Sequence, residues 1–171
     1  GNKGISHTLN HGIKVAQGEY VAFIDCDDLL YPYSLAEVVR EIVRNPDKDY
    51  FFTDRTHVDE FGREIERITY GNVPYLIGEP HDRALLRAMY ASHLKVVKRS
   101  TLQKVGLYDA TVNGCQDYDL AIRVSEQGQL HYIPNCLYQH RWHANSVTLS
   151  RNRKQQRISA HVVRQAVRRR Y

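Results

Sequence analysis

Asp25, Asp27 and Asp28 place three carboxylates within four residues, directly after the apolar run Tyr20-Val-Ala-Phe-Ile24. Like charges this close repel one another, and burying them without compensation is costly. A bound cation resolves both problems. Oxygen-only ligands suit magnesium or manganese, ions that keep several waters and complete their shell with substrate phosphate oxygens. The alternative is a solvated turn whose acids merely cap the next segment. Alone, the D-x-D pattern points to a divalent metal and a phosphate and names no reaction.

Asp117 and Asp119 open a second polar stretch, where each could be a helix N-cap. Near the far end, Gln139-His-Arg-Trp-His143 offers two imidazoles, a guanidinium and the single tryptophan. His143 could complete a metal shell or be a structural histidine, and Trp142 could face a sugar ring or pack. Nucleophile chemistry finds little support, because Ser34 and Ser100 read as helix caps and no G-x-S-x-G occurs. A glycine-rich phosphate loop is also absent. Cys26, Cys115 and Cys136 lack C-x-x-C spacing and are read as small buried hydrophobes in a reducing cytoplasm.

The acids need a scaffold, and the pattern around them supplies one. Ile5, Leu9, Ile13 and Ala16 recur at helical spacing up to Gly18, and the run 20–24 then reads as a central parallel strand buried on both faces. Ser34 and Glu37 form a capping box ahead of a helix with Leu35, Val38, Val39, Ile42 and Val43 on one face. Residues 49–54 are a second apolar strand, so the order helix, strand, helix, strand predicts an α/β layered sheet. Open α/β sheets bind ligands outside the carboxyl ends of their strands, which is where the acids fall. Residues 55–90 read as loops with short strands. Strands are expected at 93–98, 130–133 and 137–141, and helices at 101–105, 117–127 and 152–170.

Three stretches carry a resemblance. Asn2-Lys-Gly-Ile-Ser through Asn10, with Ala16-Gln-Gly-Glu-Tyr-Val-Ala-Phe-Ile-Asp-Cys-Asp-Asp28, resembles inverting family 2 glycosyltransferases of the GT-A fold. Gly114-Cys-Gln-Asp117-Tyr-Asp119-Leu-Ala-Ile-Arg123 is similar to the family's segment around its catalytic base, with Gln116 where an acid often stands. Arg141-Trp-His143-Ala-Asn-Ser146 resembles its late R-x-H-x-x-S segment. The resemblance implies a GT-A-like, Rossmann-like mixed sheet flanked by helices, lacking the N-terminal strands that grip the nucleoside. It assigns Asp117 as the base, Asp25 and Asp28 to the nucleotide-sugar side together with Lys3 and Arg141, and Asp27 and His143 to the metal. It further implies a divalent metal (Mn or Mg), a nucleotide-sugar donor with a UDP-sugar expected, a carbohydrate or lipid-linked acceptor, and a role in polysaccharide or glycoconjugate synthesis.

The 171-residue chain has 42% hydrophobic residues, enough for one globular core. Its net charge of +5 is a tail property: residues 151–171 hold eight Lys and Arg and no acid, which leaves −3 for residues 1–150. A nucleic-acid-binding body is therefore not expected. The expected organisation is a partial catalytic domain over 1–150 and a basic helix over 151–171, with a cytoplasmic location. Ile158, Val162 and Ala166 give that helix a narrow apolar face, so packing on the domain competes with peripheral contact to the inner face of the membrane. Two other readings compete with the transferase: a truncated, non-catalytic glycosyltransferase-like binding module, and a magnesium-dependent haloacid-dehalogenase-like phosphatase.

Overall fold

The computed structural model describes residues 4–71, 73, 78–142 and 152–171. The elements in chain order are α1 (Ile5–Val15), β1 (Tyr20–Phe23), β2 (Leu29–Leu30), α2 (Ser34–Arg44), β3 (Tyr50–Val58) and β4 (Glu64–Ile68). They continue with α3 (His81–Ala84), β5 (Lys95–Lys98), α4 (Arg99–Lys104), α5 (Gln116–Gln127), β6 (Leu130–Arg141) and α6 (Asn152–Arg170). Six strands form one mixed sheet in the order β1-β5-β3-β6-β2, with β4 paired to β3. Only β3 and β6 run parallel; every other pairing is antiparallel.

The centre of this sheet is β3, whose Tyr50, Phe51, Phe52 and Val58 are almost wholly buried. Phe52 stacks with Tyr132 at 5.3 Å and meets Tyr90 edge-on at 5.5 Å, so one face of the sheet is an aromatic layer. The Tyr50 hydroxyl enters that layer only because it donates to the Ala91 carbonyl at 2.6 Å. Helix α5 covers this face with Leu120, Ala121, Ile122 and Val124, and α6 lays Val162 and Ala166 into the same core. Arg169 of α6 pairs with Glu126 of α5 at 2.8 Å, so part of the basic helix's charge is matched inside the domain. No helix among the described residues is long and apolar enough to cross a membrane.

Several sequence expectations need correction. The 20–24 run is not a central parallel strand: β1 stands at the end of the strand order, antiparallel to β5, and of its residues only Phe23 is buried. A short apolar run has no period that distinguishes an end position from a central one. Ser34 is no capping box; its hydroxyl donates to the Leu137 carbonyl at 2.6 Å and ties α2 to β6. Of the five apolar positions on α2, Val38 is buried and Ile42 packs partly, while Leu35, Val39 and Val43 face solvent. The two late strands are one strand, β6, whose pairing with β3 shifts register around Pro134 and Asn135 rather than ending there. Cys115 is buried, but Cys26 is exposed beside the acids it separates.

Gly18 is not what ends α1, which stops at Val15 with Ala16 extended, but two other glycines do follow helix ends. Gly106 closes α4 at φ 88°, a left-handed conformation that a side chain would strain. Gly128 closes α5 for another reason: a Cβ there would sit 2.4 Å from the Asp49 carboxylate. That carboxylate in turn accepts from Thr101 Oγ1 and the Gln129 amide, joining α4 to the start of β6.

Candidate functional site

The acid turn follows β1 and is closed by β2, which pairs with Tyr138 and Gln139 of β6. Within the turn the Asp28 amide donates to the Asp25 carbonyl at 3.2 Å. From β6, the Tyr138 hydroxyl accepts from the Asp25 amide at 3.0 Å, and the Arg141 amide donates to Asp28 Oδ1 at 2.7 Å. The Arg141 guanidinium reaches the carbonyls of Asp27 and Glu60, both at 2.8 Å, and so clamps the turn to the β3–β4 connection. Asp28 is buried, with Oδ2 lacking a hydrogen-bond partner among the described residues, whereas Asp25 and Asp27 are exposed at the mouth.

Antiparallel pairing sets Lys95 of β5 opposite Phe23 of β1 on one side and Phe52 of β3 on the other. Lys95 is 2% exposed, and its ammonium meets Asp117 Oδ1 at 2.5 Å. Asp117 lies in the first turn of α5, where the helix N-terminus favours a negative charge. Between the Lys95–Asp117 pair and the acid turn stands His93, stacked on Tyr138 at 5.0 Å, its Nε2 3.5 Å from Lys95 Nζ and 3.6 Å from Asp25 Oδ2. Asp25, Asp27, Asp28, Arg141 and Asp117 therefore gather at one end of the sheet. Lys3 and His143 lie outside the described residues.

The two sides titrate in opposite directions. Although its side chain is exposed, the protein packed around Asp25 strips water from its carboxyl and pushes it up, and Asp28, Asp117 and Asp27 add to that push against Lys95. Burial also raises Asp117, but the Lys95 ammonium, then His93, outweighs it and holds this carboxyl below the ordinary value. His93 itself is pushed well down, chiefly by burial and then by Lys95, so it is neutral near pH 7. Such divergence within one site separates a group that wants a cation from a group kept ionised.

Among the described residues no three His, Cys, Asp or Glu side chains converge as a ready-made ligand set. What the acid turn does offer is three carboxylates, one of them with a buried oxygen on Asp28 that has no hydrogen-bond partner among the described residues, and a carboxyl on Asp25 raised by burial and then by its acidic neighbours. That donor set fits a hard divalent cation that draws further ligands from water and phosphate.

Gln116 opens α5 immediately before Asp117. It is buried and its side-chain oxygen accepts from the Gly114 amide at 2.7 Å, shaping the entry to α5. Asp119 is engaged by Arg123 at 2.5 Å, while Arg123 also donates to the carbonyls of Val105 and Leu107. That leaves Asp117, not Asp119, facing the acid turn. Lys95, His93 and Tyr138 were not singled out from sequence. Only Lys95 left a signal there, a lone ammonium inside the apolar stretch Leu94 to Val97, where burial demands a partner.

Beside the clamp, His57 is buried against Trp142 at 4.9 Å and His140 at 5.2 Å, and its Nε2 accepts from Arg55 Nε at 3.2 Å. Burial, then Arg55 and His140, lowers its pKa from 6.5 to about 4. Unfolded His57 therefore takes up its proton first as pH falls, and native stability drops between about pH 6.5 and pH 4, by at most about 3 kcal/mol. Urea unfolding across that window should show this loss, and His57→Phe should flatten it; an equally steep curve in the variant would assign the loss to other groups.

Comparison with known proteins adds to this geometry. Residues 1–106 match the sequence model of Glycosyl transferase family 2. A protein of Sinorhizobium fredii described as uncharacterized protein y4gI is 32% identical over 157 residues, covering 90% of this chain and 16% of that protein. The O-antigen biosynthesis protein RfbC of Myxococcus xanthus is 29% identical over 121 residues, 71% of this chain and 9% of RfbC. The chain thus spans a minor part of the length of these relatives. Among solved structures, the mannosyltransferase PcManGT of Pyrobaculum calidifontis, in complex with GDP-Man and Mn2+, superposes with a TM-score of 0.67 at 20% identity over 98% of this chain and 44% of that one.

Proposed function

Because the chain belongs to glycosyl transferase family 2 and has the GT-A fold, we propose that it moves a sugar from a nucleoside-diphosphate sugar to an acceptor hydroxyl with inversion at the anomeric carbon. The observation that carries this reading is the pairing of an ionised, Lys95-held Asp117 with the acid turn 25–28 at the same end of the sheet. Asp117 takes the proton of the acceptor hydroxyl as that oxygen attacks the anomeric carbon. The new bond is carbon to acceptor oxygen, and the bond that breaks is carbon to phosphate oxygen. Its electron pair leaves with the nucleoside diphosphate, from the face opposite the attack.

Asp27 would hold a divalent ion, with His143 as a further ligand, while Asp25 and Asp28 lie with Arg141 on the nucleotide-sugar side. Such an ion supplies Lewis-acid stabilisation of the charge growing on the departing diphosphate. Asp28 and Arg141 keep the turn in shape from beneath, through the 2.7 Å bond to the Arg141 amide and the guanidinium contacts to backbone. Lys3 belongs to the donor side in this proposal. A UDP-sugar is the expected donor, and a carbohydrate or lipid-linked hydroxyl the expected acceptor, in polysaccharide or glycoconjugate synthesis. Peripheral contact with the inner face of the membrane would fall to exposed arginines of α6. The family match and the antiparallel pairing of β1 with β5 favour the transferase over the phosphatase.

A panel of UDP-, GDP- and dTDP-sugars, tested for thermal stabilisation with and without manganese and for release of nucleoside diphosphate, tests the proposal. One donor class should stabilise the protein only with the metal and be consumed. A panel in which nothing binds and nothing is released would sink it.

A further inference from the structure

Resting on Asp117 as the base, we propose that Lys95 is its positioning residue, a buried ammonium that fixes one carboxylate oxygen and so orients the other. Lys95 occupies an interior position of the sheet, between β1 and β3, where an ammonium without a partner would be driven neutral. Its surroundings preserve the charge. Asp117 Oδ1 lies at 2.5 Å, the Phe23 ring centroid at 5.5 Å beneath the ammonium, and His93 Nε2 at 3.5 Å.

Stability does not explain this arrangement. Replacing a buried ion pair with well-packed apolar side chains is frequently neutral or favourable, so a pair kept for the fold alone has no need of this place. The place is the informative feature: the ammonium, 3% exposed, meets the carboxylate from the buried face of the sheet that α5 covers, while the Asp117 side chain remains 31% exposed. A rigid partner on the inner side leaves the outer side open to an acceptor hydroxyl.

The other groups facing Asp117 cannot replace Lys95. From the segment before β5 comes His93, itself pushed toward neutrality; from the segment before α5 comes Tyr108; from β3 comes Tyr50; from the acid turn comes Asp25. Asp25 and burial both favour the protonated carboxyl, which could not accept a proton. Among these groups Lys95 is the basic side chain in direct contact with the carboxylate.

The test follows the Asp117 side-chain carboxyl carbon by NMR through a pH titration of the protein, in wild type, Lys95→Met and Lys95→Arg. The wild-type midpoint should lie below the ordinary aspartate value of about 3.9. In Lys95→Met it should rise by about 1 pH unit or more, whereas Lys95→Arg should return most of that rise. A midpoint that is the same in Lys95→Met and wild type overturns the proposal. If Lys95→Met does not fold, a wild-type midpoint at or above the ordinary value overturns it equally. Failure of the underlying reading shows elsewhere: a folded Asp117→Asn that still transfers sugar removes the base, yet leaves the carboxyl titration as measured.

Discussion

Asp117→Asn should lower sugar transfer by about 100- to 10,000-fold, the usual contribution of a positioned general base. The amide keeps the shape of the carboxylate and can still accept from Lys95, so the buried ammonium is not left without a partner. Some stability is lost because a charged contact becomes a neutral one, a change on the order of 1 to 3 kcal/mol. Donor binding should survive, since the acid turn is held by Tyr138 and Arg141 and not by Asp117. The diagnostic result is therefore a folded protein that retains metal-dependent donor stabilisation but has lost turnover. Unchanged turnover in a folded variant would remove Asp117 from the chemistry and leave the 25–28 turn as a binding site alone.

The acid turn was legible because its signal is local: three carboxylates after an apolar run cannot be rearranged by tertiary structure. Helices α1 and α5 were legible for the same reason, since the apolar spacing that marks them lies within each helix. Lys95 and His93 were not, because their role comes from register. Sequence spacing does not say that Lys95 falls opposite Phe23, or that α5 returns Asp117 to the same end of the sheet. The end position of β1 was likewise hidden, since Val21 and Ala22 are apolar whether or not a neighbour covers them. Periodicity on α2 was read as a buried face of five residues. Packing uses the side of Ser34, Val38 and Ile42, leaving Leu35, Val39 and Val43 outward. Gln116 shows the reverse case: its departure from the family pattern looked like a lost charge, and its contact with the Gly114 amide makes it a local brace.

Asp27→Ala carries the second large effect, and it separates the donor side from the base side. Asp27 is exposed, and what Arg141 grips is its carbonyl, which alanine retains. The turn should therefore persist, with a change in intrinsic stability within about 0.5 kcal/mol, as for most surface substitutions. What should vanish is the manganese-dependent stabilisation by UDP, worth about 2.7 kcal/mol when the nucleotide is present at 100 times its dissociation constant. Turnover should fall by about 100- to 1,000-fold, because the charge developing on the leaving diphosphate loses its stabilisation. Thermal unfolding with UDP, with manganese and with both distinguishes the outcomes. If Asp27→Ala keeps the full stabilisation by UDP with manganese, the ion is held by other groups, and the three acids at 25–28 revert to a capped turn. Loss of the effect in Asp27→Ala, together with its retention in Asp117→Asn, would divide the site into a donor half at the end of β1 and a base half at the start of α5.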